Sequence, residues 1–289
     1  EEGAFVMWFL RYFTDPLLQV SMWGTILMCF ASSLIGVMAF VRRESLVGET
    51  LSHAAFPGAV IGVVISMTFF RGAESLGLAF TIGSAFFFSL LGMWSVRLLE
   101  RKMGVKEDAA LCFILASFMG VGVLLASALQ SSHPLWFRQV ENFFYGQAAT
   151  MMGVHVALYA SLSVAVLLFI LWKFPLLKML NFDPTFSRSL GINTSLLSAL
   201  LIFFISLSVV IGIRAVGVVL MSGMLIAPAV AARSFTSKLS VMMLLASLFG
   251  VASAILGNIL SYEIPRWFNG RLNIPMGPLI LLIAASFSL

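Results

Sequence analysis

The sequence predicts an all-α protein, a polytopic transmembrane helical bundle of eight or nine spans. Three observations predict it. Of 289 residues, 61% are hydrophobic and only 10% are charged, where a soluble domain carries roughly 45–50% and about 25%. The mean hydropathy is +1.06. The apolar runs are long and continuous, without the alternation of a membrane barrel, and a bilayer core about 30 Å thick needs about 20 such residues in a helix. These features exclude a soluble enzyme and a disordered chain, which needs low hydrophobicity and high charge. Seventeen Lys and Arg against twelve Asp and Glu leave a net charge of +5, too sparse for a nucleic-acid binder.

Residues 1–16 carry Glu1, Glu2 and Asp15 and lack a basic n-region, so they do not form a signal peptide. Phe5, Val6, Trp8, Phe9 and Leu10 make this an interfacial N-terminal segment. The chain opens on Glu, which leaves its true start open. Residues 17–289 form a single transmembrane domain, with apolar segments at 17–40, 51–70, 78–99, 109–129, 154–174, 195–213, 215–232, 239–262 and 274–289. The seventh and ninth are short for a full crossing. Segments six and seven are either two spans or one span with a re-entrant piece.

Alternating spans put Arg42, Arg43, Arg97, Arg101, Lys102, Lys106, Lys173, Lys178, Arg188, Arg233 and Lys238 on one side. The other side keeps Arg11, Arg71, Arg138, Arg214, Arg266 and Arg271. The richer side is expected to be cytoplasmic, which puts the N-terminus outside. Cys29 and Cys112 fall within apolar segments, where a disulfide or thiolate site is not expected. No G-x-x-x-x-G-K-[ST] phosphate loop occurs, and no loop has room for a nucleotide-binding domain. Any ATP used must be hydrolysed by another chain.

Charges inside a bilayer are costly and point to function. In the stretch 42–58, Glu49 and His53 lie four apart and share a helix face. Imidazole with carboxylate suits zinc, manganese or ferrous ions, and no soft thiolate is present to favour copper(I). Pro57 lacks an N–H, so the His53 carbonyl loses its helical partner beside the imidazole. Such free backbone at membrane depth belongs where it lines a cavity or is buried in protein. A blander reading has Glu49 favouring the positive end of its helix and His53 bonded to a neighbour. Pro228 frees the Met224 carbonyl in the same way within 214–229, near Gly217, Ser222 and Gly223. Two interrupted segments, one per half, are typical of transporter sites. Met221 and Met224 read as packing.

The loop 181–192 offers Asp183 as N-cap, Pro184 at the first helical position and Gly191 as stop. A helix of about two turns over 183–191, lying outside the membrane and presenting Phe186, Arg188 and Leu190, suits docking of a partner; a solvated connector is the alternative. The longest loop on the other side, 130–153, carries His133, Trp136, Phe137, Phe143, Phe144 and Tyr145, expected as an interfacial belt. Arg138 and Glu141 within it are candidates for an external gate.

The run S-L-V-G-E-T-L-S-H-A-A-F-P-G at 45–58 resembles the signature of permeases from bacterial ABC importers for zinc, manganese and iron. K-E-D-A-A-L at 106–111, F-D-P-T-F-S-R-S-L-G-I at 182–192, the stretch 214–233 and L-N-I-P-M-G-P at 272–278 follow in the family's order. The resemblance implies a type II ABC-importer-like permease in the bacterial cytoplasmic membrane. It implies a homodimer bound to two cytoplasmic ATPase subunits and supplied by an extracytoplasmic metal-binding protein. It further implies that residues 183–190 form the coupling helix and that His53 and the acidic residue at 49 lie on the ion pathway. Glu49 stands where the family mostly has Asp, so its carboxylate reaches one methylene further, and direct coordination by it is left open.

The expected function is translocation of a divalent metal ion with no permanently bound cofactor. A siderophore or cobalamin permease is an alternative, but its wide path has no need of a His–carboxylate pair. An ATPase-independent carrier would have no use for the helix at 183–191. An intramembrane metalloprotease would need H-E-x-x-H spacing, which is absent. The choice of metal is left open.

Overall fold

A computed structural model describes residues 14–69, 74–148, 151–182, 184–267 and 275–288. Among them the regular structure is helical and no strand occurs. The helices are α1 (Pro16–Val41), α2 (Ser45–Phe69), α3 (Glu74–Met103), α4 (Glu107–Ser132), α5 (Pro134–Tyr145), α6 (Gly153–Phe182), α7 (Pro184–Ser189), α8 (Thr194–Val216), α9 (Val218–Phe235), α10 (Leu239–Trp267) and α11 (Met276–Ser286). Eight of these are long and apolar enough to cross a membrane. The ninth apolar segment forms α11, which has only 11 residues, about 16 Å of helix and too short to span.

Two helices organise the bundle. The apolar windows of α1 and α2 are 72% and 67% buried, against 28% for α4, so the first two are central. Helix α1 packs on α6, α8, α9 and α10, while α2 packs on α3, α4, α5, α8 and α9. Close packing rests on small residues and hydroxyls, as expected between membrane helices. A Cβ on Gly36 of α1 would collide with the Leu225 carbonyl of α9. Ser206 of α8 donates to Ser89 Oγ of α3 over 2.9 Å, and Ser163 of α6 donates to the Leu27 carbonyl of α1 over 2.8 Å. At one end of the bundle, Asn258 Nδ2 donates to Thr25 Oγ1 over 2.6 Å, and Ser21 donates to the Ala148 carbonyl over 2.9 Å.

Three connections differ from the sequence expectation. The second helix starts at Ser45 and not at 51, because only Arg42, Arg43 and Glu44 separate it from α1. Arg43 turns the chain with a φ of 61°, and Arg42 pairs with Glu44 at 2.7 Å. Segments six and seven are two separate helices of 23 and 18 residues joined at Gly217. The shorter is about 27 Å long, enough to cross the hydrocarbon layer. The loop 130–153 holds a helix of its own, α5, with Pro134 in its first turn and with Val140 and Phe143 buried against the bundle.

The turn at Gly217 is locked by α5. Gly217 (φ 99°, ψ 161°) and Gly146 (φ 77°, ψ 157°) pack backbone to backbone, where a Cβ on Gly217 would sit 2.6 Å from the Phe144 carbonyl. The Gln147 N–H donates to the Arg214 carbonyl over 2.9 Å. Arg214 lies over the Phe143 ring at 5.7 Å, against the negative end of α5.

Candidate functional site

Helix α2 places Glu49 and His53 by fixing its own rotation. On the side of α3, Ser89 Oγ donates to the Leu51 carbonyl over 3.1 Å and Ser84 Oγ to the Gly58 carbonyl over 2.6 Å. On the side of α4, Thr50 Oγ1 donates to the Leu111 carbonyl over 3.4 Å. From Val47 to Val60 every residue is buried except Glu49 and His53, which are half-buried. Within that buried stretch a carboxylate and an imidazole, one turn apart, are the two side chains that keep partial exposure.

The imidazole has a partner that the sequence did not single out. His53 Nδ1 lies 3.3 Å from the Met119 sulfur on α4. With the proton on Nδ1, the ring donates to that thioether and Nε2 keeps its lone pair for a cation. A neighbour that holds the ring in this way also fixes its tautomer. One of sixteen Met residues carries no spacing signal of its own, so only packing reveals it. Ser52 Oγ donates to the Glu49 carbonyl over 2.8 Å. Among the described residues no group of three or more His, Cys, Asp or Glu could hold a metal ion, so this chain brings two ionisable donors to that stretch.

Pro57 and Pro228 are both buried inside continuous helices, α2 and α9, and so face protein. Met221 and Met224 are fully buried core residues, as packing requires. Arg138 and Glu141 are exposed on α5, and no ion pair joins them.

The short helix α7 spans Pro184–Ser189 and ends in a turn with Gly191 at φ 76°. Asp183, expected as its N-cap, lies outside the described residues. Phe186, Arg188 and Leu190 are exposed, with Phe186 and Leu190 at 54% and 55%. Ser187 is buried between them and anchors the helix. Arg188 Nε donates to Thr194 Oγ1 over 3.2 Å, tying α7 to the start of α8, where Asn193 caps the helix by accepting from the Leu196 N–H. Arg42 reaches Ser198 Oγ over 3.1 Å. The end of α1, the start of α8 and helix α7 therefore lie at one end of the bundle, the end that carries the richer set of basic residues.

The chain is similar to proteins of known systems. The zinc transport system membrane protein TroC of Treponema pallidum (strain Nichols) is 35% identical over 280 residues, covering 97% of this chain and 89% of the relative. The manganese transport system membrane protein MntC of Bacillus subtilis (strain 168) is 34% identical over 261 residues, covering 90% of this chain and 58% of that one. A metal transport system membrane protein of Chlamydia pneumoniae is 32% identical over 277 residues, and there the chain spans 61% of the relative's length. The fold matches PsaBC from Streptococcus pneumoniae in complex with Fab, with a TM-score of 0.81 at 24% identity over 98% of this chain and 94% of that one. It also matches an inward-facing metal-chelate type ABC transporter, with a TM-score of 0.67 at 19% identity over 96% and 85%. Eight apolar helices and this kinship identify a multi-pass protein of the bacterial inner membrane. Residues 14–289 fit the ABC 3 transport family, and with the motifs, the fold and the relatives in agreement, the chain belongs to that family.

Proposed function

We propose that this chain is the permease subunit of an ATP-driven importer that carries a divalent transition metal ion into the cytoplasm. The observation that carries the reading is on α2, where Glu49 and His53 are the only residues from Val47 to Val60 to escape burial. Carboxylate and imidazole are donors for zinc, manganese and ferrous ions. Relatives named for zinc and for manganese support the class of cargo and leave the member open.

The remaining parts follow from the same reading. His53 coordinates the ion through Nε2, and Glu49 supplies the compensating charge. Two donors per chain leave the other coordination positions of the ion to water, and the chain pairs with a second copy as a homodimer. Helix α7, with Phe186, Arg188 and Leu190 exposed, is the coupling element for a cytoplasmic ABC ATPase, and it runs from Pro184 to the turn at Gly191. The richer basic end is cytoplasmic, and the end bearing α5 receives an extracytoplasmic metal-binding protein, with Arg138 and Glu141 at the entrance. Chemistry on this chain is translocation, and no covalent change to the cargo is involved. Uptake by the reconstituted complex, with Zn²⁺, Mn²⁺ and Fe²⁺ in competition, tests the reading. His53→Ala is expected to abolish uptake while the permease still folds and binds its ATPase; normal uptake by that variant would refute it.

A further inference from the structure

A cavity of about 730 Å³ opens at the basic end of the bundle, between the ends of α1, α6 and α9 and the starts of α2 and α10. Arg43 and Arg233 both line it. Their neighbour Arg42 is neutralised by Glu44 at 2.7 Å, whereas no ion pair joins Arg43 to a carboxylate among the described residues. The guanidinium of Arg233 donates to the Ser237 carbonyl at 3.5 Å. Among the described residues no acidic side chain lines the cavity, and Ser45, Ser237 and Asn181 add polar groups. Among the described residues neither guanidinium is ion-paired with a carboxylate, and two cations lining one space repel a divalent cation.

Extent decides what the occupant is. Ile226 and Arg233, both on α9, line it, Arg233 lying nearer the helix end. Seven residues of helix separate them by about 10 Å. Phe40, Val41, Leu239 and Met242 add apolar wall beside Ile226. A free anion or an acidic protein loop would satisfy the cations and leave this wall bare. We propose that the cavity binds an anionic membrane phospholipid, with its phosphate held by Arg43 and Arg233 and the start of an acyl chain along Ile226. Guanidinium forks match phosphate oxygens bidentately, and basic pockets between membrane helices take such headgroups.

The test uses the chain in nanodiscs of phosphatidylcholine, with and without phosphatidylglycerol, and native mass spectrometry to count retained lipid. Wild type is expected to retain one phosphatidylglycerol in preference to phosphatidylcholine. The double substitution R43Q/R233Q should weaken that retention about thirtyfold with an unchanged unfolding midpoint in phosphatidylcholine. R43K/R233K should keep most of it, which separates loss of charge from misfolding. Equal retention by wild type and the Gln pair overturns the proposal. Inorganic phosphate that displaces the lipid at millimolar concentration also overturns it, since the apolar wall would then contribute nothing. Loss of ATPase association by the Gln pair, with lipid retention intact, overturns it in favour of a protein contact.

Discussion

Gly146 and Gly217 meet backbone to backbone, each in a region of φ and ψ that only glycine occupies freely. The pair joins the end of α5 to the turn between two spans, so a side chain at either position strains its own backbone and pushes the other away. Gly217→Ala is therefore expected to cost about 1–3 kcal/mol from backbone strain alone, read as a fall in unfolding midpoint in detergent. Gly83 of α3 has open space around its Cα, so Gly83→Ala should be neutral or stabilising by up to about 1 kcal/mol. Equal effects of the two substitutions would contradict the account of the turn.

Met119 should matter through His53. Met119→Leu keeps the volume and removes the acceptor for Nδ1–H, so the imidazole loses its fixed tautomer. Metal affinity in uptake is expected to fall about tenfold, the lower end for a lost neighbour of a ligand, with the fold unaffected. The same substitution in a His53→Ala background should have no further effect. An additive loss there would place Met119's role elsewhere.

Glu49 is expected to act by charge. Glu49→Asp, one methylene shorter, should keep uptake. Glu49→Gln keeps the shape and loses the charge, and should raise the KM for metal about tenfold, or about 1.4 kcal/mol. Initial uptake rates over a range of metal concentrations measure both, and an unchanged KM in the Gln variant would leave His53 as the sole donor.

Helix α7 separates coupling from stability. Phe186 is exposed, so Phe186→Ala should leave the unfolding free energy within about 0.5 kcal/mol of wild type while ATP-dependent uptake and ATPase copurification fall together. Leu177, fully buried at the end of α6, should show the reverse: Leu177→Ala loses about 2–5 kcal/mol of stability. A Phe186→Ala variant that transports normally would remove α7 from the docking surface.

The spans were legible because a long apolar run has one physical explanation in this class of chain. His53 was legible for the same reason, as an imidazole where hydrocarbon should be. Connections were less so. Nothing in composition says that Arg43 turns the chain within three residues, because its conformation is imposed by the helices on either side. Helix α5 carried a usable signal in Phe137, Val140 and Phe144 at helical spacing, yet its polar positions made it read as a loop. Met119 was illegible, since a thioether in an apolar helix is ordinary filling until a ring is found against it.

Two ionisable donors per chain also set a limit on time. An ion held by an incomplete shell keeps some of its water and leaves quickly. With capture at about 10⁸ M⁻¹s⁻¹ and a dissociation constant of about 1 μM, the ion departs in about 10 ms. That is faster than a typical enzymatic turnover of about 10 s⁻¹, so release would not delay the pump. A complete cage binding at about 1 nM would hold the ion for about 10 s at the same capture rate, a hundred turnovers long. On the proposed function, a loosely held ion at Glu49 and His53 is what a path requires and a store would not tolerate.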